Sequence, residues 1–108
     1  MKVKVIASGS KGNSTLIKTD NTNILIDIGI NYQYLCNELN KIDLEPKQIS
    51  AILITHTHSD HIKGLSSLVK KTNLKVYIIE EMYDELKKII PEHNLYIYND
   101  YLEIFAII

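Results

Sequence analysis

The stretch Ser50-Ala51-Ile52-Leu53-Ile54-Thr55-His56-Thr57-His58-Ser59-Asp60-His61 decides the fold. Its first part, through Ile54, is a short apolar run with β-branched residues and predicts a buried strand. Its second part holds three of the chain's four histidines and an aspartate. Beyond it, Ile62, Leu65, Leu68 and Val69 recur at helical spacing around Gly64. The polar cluster therefore falls on a loop between the carboxyl end of a strand and a helix, which is where open α/β folds keep their ligand chemistry.

Neutral imidazole and carboxylate are the nitrogen and oxygen donors that bind Zn²⁺ and similar ions. His56 and His58 stand two apart in an extended segment, so their side chains can converge on one ion from the same side. Asp60 and His61 come after a turn in direction and are placed to serve a second ion. Four potential ligands on one loop predict two adjacent metals sharing an activated water. The plainer alternative is a polar loop in which Ser59 or Asp60 caps the following helix.

Upstream, alternation of Val3, Val5 and Ala7 with Lys2, Lys4 and Ile6 predicts a first strand. Ser8 to Asn13 is a Gly/Ser/Asn loop, Ser14 to Lys18 a second strand, and Asp20-Asn21-Thr22-Asn23 a hairpin turn. Ile24 to Ile28 reads as a third strand, interrupted only by Asp27, which either begins the turn at Gly29 or props the histidine loop from behind. Asn31 caps a predicted helix to about Lys41, and Pro46 breaks the chain before the fourth strand.

Downstream, the helix from about Ile62 ends near Lys70-Lys71, Lys75 to Ile79 is a strand, and a helix opens at Glu80-Glu81 and stops at Pro91. Its buried face is Met82, Leu86, Ile89 and Ile90. Leu95 to Tyr98 and Tyr101 to Ile108 read as two strands around Asn99-Asp100. Tyr96, Tyr98 and Tyr101 are expected to pack across strands. His93 reads as a loop residue, and Cys36 as a small hydrophobe beside the stripe of Leu35, Leu39 and Ile42. The lysines at 63, 70, 71 and 75 read as a solvated surface, whereas Lys11 lies in a glycine-flanked loop near the strand ends, within reach of a substrate phosphate.

The chain has 108 residues, 45% hydrophobic and 23% charged, enough apolar content for a core and not the composition of a disordered chain. Its net charge of −1 excludes a global electrostatic pull toward nucleic acid or anionic membrane. All 12 basic residues are lysines, so any bound phosphate would be held by point charges, backbone amides or metal. The single cysteine allows no internal disulfide and fits a reducing cytosol. With no signal-peptide core at the start and no apolar run of bilayer length, the expected location is cytoplasmic.

Thr55-His56-Thr57-His58-Ser59-Asp60-His61 after an apolar strand resembles the signature of the metallo-β-lactamase superfamily. Ile24-Leu25-Ile26-Asp27-Ile28-Gly29 resembles that superfamily's first motif, a strand ending in Asp. The opening Ser8-Gly9-Ser10-Lys11-Gly12-Asn13-Ser14 and the continuation His61-Ile62-Lys63-Gly64-Leu65 resemble its YycJ/WalJ-type branch. The resemblance implies an α/β (α+β) fold, the first half only of an αββα sandwich, with a mixed, mainly antiparallel sheet and flanking helices. It implies a metal-dependent hydrolase, in that branch an exonuclease cleaving phosphodiesters of DNA, with thioester hydrolysis of the glyoxalase II kind as the competing activity. The implied cofactors are two divalent ions, zinc with manganese or iron as alternatives. His56 and His58 would hold one ion and Asp60 and His61 the other. Asp60 would also be catalytic, relaying protons, and Asp27 and Asn13 would support the loop.

That family's domain is about twice as long, and its later ligands, two histidines and a bridging aspartate, have no counterpart in residues 1–108. The expectation is an amino-terminal half, a truncated domain that is either part of an active hydrolase or a catalytically inactive fragment. Its uncovered sheet face would invite self-association.

Overall fold

The computed structural model of the protein describes residues 1–99. Three strands open the chain, β1 (Lys2–Ala7), β2 (Ser14–Lys18) and β3 (Asn23–Ile26), followed by helix α1 (Tyr32–Asn40). After a 3-10 turn at Pro46–Gln48 come β4 (Ala51–Leu53), the single-turn α2 (Ser59–Ile62), α3 (Leu65–Thr72) and β5 (Lys75–Ile78). A 3-10 turn at Glu80–Met82 leads into α4 (Tyr83–Leu86), and another at Glu92–Asn94 into β6 (Leu95–Ile97).

The six strands form one sheet in sequential order. β1 and β2 pair antiparallel across the loop 8–13, and β2 and β3 pair antiparallel across a short turn closed by the Thr19 N–H donating to the Thr22 carbonyl. β3, β4, β5 and β6 pair parallel, because a helical segment returns the chain to the same edge before each new strand. The sheet is mixed as expected, with two antiparallel pairings at its start and three parallel pairings after them. The long βαβ connections through α1 and α3 decide that, and local hydrophobic patterning does not record pairing direction.

Register places Leu16, Leu25, Ile52, Val76 and Leu95 in one row across the sheet. The first four are essentially without solvent exposure. Leu35 and Leu39 of α1, Leu65, Leu68 and Val69 of α3, and Leu86 of α4 join them in one core. All the helices that contribute to that core lie on one face, giving one helical layer on one sheet. The other face carries a smaller cluster of Ile24, Ala51 and Tyr77, with Leu53 and Tyr98 against it. Val3 and Val5 also point to this face and are each 60% exposed, while Ile6 is the residue of β1 that enters the core. Tyr77 and Tyr96 pack ring to ring at 5.5 Å, the cross-strand role expected of the tyrosines. Tyr101 and the strand expected over 101–108 lie outside the described residues.

Element boundaries shifted where backbone geometry overrode periodicity. The third strand stops at Ile26 because Asp27 turns left-handed, with φ of 60°. The helix expected from Ile62 begins earlier and is split, α2 ending and α3 starting around Gly64, whose N–H donates to the Ile28 carbonyl at 2.9 Å. The helix expected over 80–90 is one short turn with Leu86 and Ile90 buried and Ile89 exposed. Asn31 caps α1 as expected, its side chain accepting from the Tyr34 N–H. Cys36 is half-buried beside Tyr32, whose phenol is pushed above its ordinary range by burial first and by Cys36 second.

The two faces predict opposite mutational responses. Ile52→Ala, in the central core row, should lower unfolding free energy by roughly 2–5 kcal/mol. Val3→Thr, on the open face, should change it by less than about 0.5 kcal/mol. Urea titrations followed by circular dichroism read both, and equal losses would mean that the core face is assigned wrongly.

Candidate metal centre

The parallel arrangement brings the carboxyl ends of β3 and β4 to one edge of the sheet, and the histidine loop starts there. Asp27 is the first residue after β3. It is 4% exposed, so its carboxylate requires partners. One oxygen accepts from the Thr55 backbone N–H at 2.8 Å. The other accepts from the Thr55 hydroxyl at 2.5 Å and lies 2.7 Å from His61 Nδ1. The Thr55 hydroxyl is in turn 2.9 Å from His56 Nδ1.

These contacts determine where the ring protons sit. A carboxylate only accepts hydrogen bonds, so His61 must donate from Nδ1. The single hydroxyl proton of Thr55 goes to Asp27, so Thr55 can only accept from His56, which must also donate from Nδ1. Both neutral imidazoles are then left with a bare Nε2 lone pair, the donor state that a divalent cation takes. The two rings lie with centroids 4.5 Å apart and planes tilted by 39°.

Asp60 stands on the other side of His61. Its Oδ2 is 3.7 Å from His61 Nε2. That is too long for a hydrogen bond, yet within the span of two atoms each about 2.0–2.2 Å from a shared cation. Two electron-rich atoms facing each other with no proton between them suit a cation chemically. Asp27, His56 and His61 likewise offer ligand atoms within 4.8 Å of one another. In that trio the hydrogen bonds to Thr55 and His61 already occupy both Asp27 oxygens, so Asp27 is better suited to hold the imidazoles than to bind an ion itself.

Asn13 fixes the opposite wall. Its backbone N–H donates to the Asp60 carbonyl at 2.7 Å, and its side-chain amide donates to the same carbonyl at 3.2 Å and to Asp60 Oδ2 at 3.3 Å. The Ile28 N–H donates to the His61 carbonyl at 2.8 Å, and the Gly29 N–H to the Asn13 carbonyl at 2.8 Å. Gly29 lies so close to Asp60 that an added Cβ would come within 1.7 Å of the Asp60 carbonyl oxygen. Only glycine fits there.

Of the residues singled out from sequence, the structure gathers Asp27, His56, His61, Asp60 and Asn13. His58 heads α2 with an exposed side chain and lies outside the Asp27–His56–His61 group. Sequence reasoning gave Thr55 no role, although it links Asp27 to His56. The available signal was its position directly before His56, since a hydroxyl next to a candidate ligand is able to orient it. His93 is exposed in the turn before β6 and joins no metal-binding group among the described residues.

A profile for the metallo-beta-lactamase superfamily matches residues 7–97. The chain is 36% identical over 86 residues to exodeoxyribonuclease WalJ of Streptococcus pneumoniae, covering 80% of this chain and 32% of that protein. It is 38% identical over 86 residues to exodeoxyribonuclease YycJ of Bacillus anthracis, covering 80% of this chain and 33% of that protein. The chain thus spans about a third of the length of these curated relatives. Among solved structures, MEM-A1, a subclass B3 metallo-beta-lactamase isolated from a soil metagenome library, superposes with a TM-score of 0.74 at 20% identity, over 91% of this chain and 43% of that one.

The hydrogen-bond pattern makes a direct prediction. Long-range nitrogen–proton spectra of the neutral rings should show His56 and His61 both as Nδ1–H tautomers. Thr55→Val should release His56 to the Nε2–H form common in free imidazole and leave His61 unchanged. A His61 that switches as well would show that Asp27 does not hold it independently.

Proposed function

This chain belongs to the metallo-beta-lactamase superfamily, and from that premise we propose that it forms the amino-terminal half of a divalent-metal-dependent hydrolase that cleaves DNA phosphodiesters from an end. The observation that carries the reading is the hydrogen-bonded chain in which Asp27 meets His61 Nδ1 directly and His56 Nδ1 through the Thr55 hydroxyl, an arrangement that leaves both Nε2 atoms for a cation. The names of the relatives, exodeoxyribonucleases, supply the substrate class.

In this reading His56 and His58 hold one ion and Asp60 and His61 a second. Zinc is the first choice and manganese or iron the alternatives, since all accept imidazole and carboxylate donors. Bound divalent ions supply a water of lowered pKa and neutralise charge developing on the phosphate. Asp60 takes up and returns protons at Oδ2, which its hydrogen bond from Asn13 keeps aimed at His61. Asp27 keeps the imidazoles in position, and Asn13 keeps the Asp60 backbone in place. No helix of the described residues is long and apolar enough to cross a membrane; together with the single cysteine, this supports a cytoplasmic location. We extend the proposal to self-association through the open sheet face at Val3 and Val5, which a monomer at every concentration in sedimentation velocity would overturn.

The test starts with metal content. The folded chain, dialysed against zinc or manganese and desalted, should retain about two ions per chain. It should shorten end-labelled DNA and leave acyl-glutathione intact, and Asp60→Asn should lower the DNA rate by about a hundredfold or more. A folded chain that retains no metal and leaves DNA untouched would make residues 1–108 an inactive piece of the domain. Thioester cleavage without DNA cleavage would move the substrate class instead.

A further inference from the structure

A cavity of about 290 Å³ lies beside the metal loop, lined by Ala7, Ser8, Lys11, Gly12, Ile30 and Tyr34. It approaches the volume of a small ligand cleft. Its walls come from three segments: the end of β1 with the loop after it, the turn after β3, and the first helical turn of α1. The first two are clamped together, since an added Cβ on Gly12 would come within 2.6 Å of the Gly29 carbonyl oxygen. The next residue, Asn13, carries the three hydrogen bonds to Asp60. The cavity and the metal loop are therefore neighbours through one residue and share a rigid wall.

Its chemistry is specific. Lys11 is exposed, and no ion pair ties it up among the described residues. Tyr34 is an aromatic ring left 44% exposed, although it sits in the first turn of a helix whose Leu35 and Leu39 are fully buried. Ile30 adds an apolar floor and Ser8 a hydroxyl. A free ammonium, a hydroxyl and an exposed aromatic ring around one cavity suit a ligand with an anionic group and a flat ring, which describes a nucleotide.

We infer that this cavity holds a nucleotide of the DNA strand next to the bond being cut, with Lys11 and Ser8 on its phosphate and Tyr34 stacked on its base. The inference rests on the nuclease reading and assigns the surface that seats the strand. Lysine, with no fork of donors, gives a point-charge contact, so the site reads phosphate and ring without selecting a particular base.

Binding of a short fluorescent single-stranded oligonucleotide to the metal-free chain, read by anisotropy over a range of salt, tests this without turnover. Lys11→Gln should weaken binding several-fold and lower the salt slope by about 1. Tyr34→Ala should weaken it roughly tenfold with the salt slope unchanged, and Tyr34→Phe should bind as the parent chain does. Lys47→Gln, in the 3-10 turn of Pro46–Gln48 at the amino end of β4, should bind as the parent chain does. If the parent chain binds and the Lys11 and Tyr34 variants match it, the cavity assignment is wrong and the nuclease reading stands. If the parent chain binds no oligonucleotide, the cavity assignment is overturned, and the cleavage of end-labelled DNA by the metal-loaded chain decides the nuclease reading separately. Unchanged circular dichroism and thermal midpoint keep folding defects out of the comparison, since both side chains are exposed.

Discussion

The buried carboxylate of Asp27 is the constraint on which the rest of the structure depends. An isolated ionised carboxylate at this depth would cost several kcal/mol, and the left-handed backbone beneath it adds roughly another 1 kcal/mol. Against this stand three hydrogen bonds to the carboxylate, each worth about 1.5–3 kcal/mol when one partner is charged. The sum favours the buried arrangement only if all three are made. That condition joins the end of β3, Thr55 just beyond β4, and His61 of α2 at one point. The loop cannot drift without leaving a charge unpaired.

The same condition explains why the site lies on a parallel part of the sheet. Asp27 and Thr55 are brought together because β3 and β4 run in the same direction and in register, Ile26 beside Leu53. An antiparallel pairing would place the end of one strand beside the start of the other and separate the carboxylate from the histidine loop. The βαβ connection through α1 fixes the direction, and the burial of Leu35 and Leu39 holds that connection against the sheet. Core packing on the helical face therefore fixes the position of Asp27 beside Thr55 at the end of the sheet.

Much of this was legible in the sequence, for identifiable reasons. The apolar run before Thr55, the Asn31 cap and the histidine cluster are local signals, and each appears where periodicity or capping chemistry placed it. Asp27 stood out as the one charge in an apolar strand. Pairing direction was not legible, because Ile24 to Ile28 is apolar enough for either arrangement. Thr55 was missed because its role exists only once Asp27 arrives from 28 residues away. The short α4 was overestimated because Met82, Leu86, Ile89 and Ile90 fit a helical stripe, yet Ile89 turns to solvent after a single turn. His58 lies at the head of α2, exposed as His56 is, and spacing alone does not describe the turn that sets the two apart.

The glycine-rich opening shows how site and fold are the same object here. The loop after β1 reaches the histidine loop through Asn13 and the β3 turn through Gly29, so three segments distant in sequence close into one ring of backbone hydrogen bonds. Every member of that ring uses a main-chain group that would otherwise need water or a partner at the sheet edge. The backbone is satisfied by the contacts that aim Asp60, His56 and His61 to one side. Replacing Gly29 with any larger residue would force the Asp60 carbonyl away and open the ring, and the side chains would lose their orientation along with the backbone bonds. The histidine loop owes its geometry to packing that the fold requires anyway.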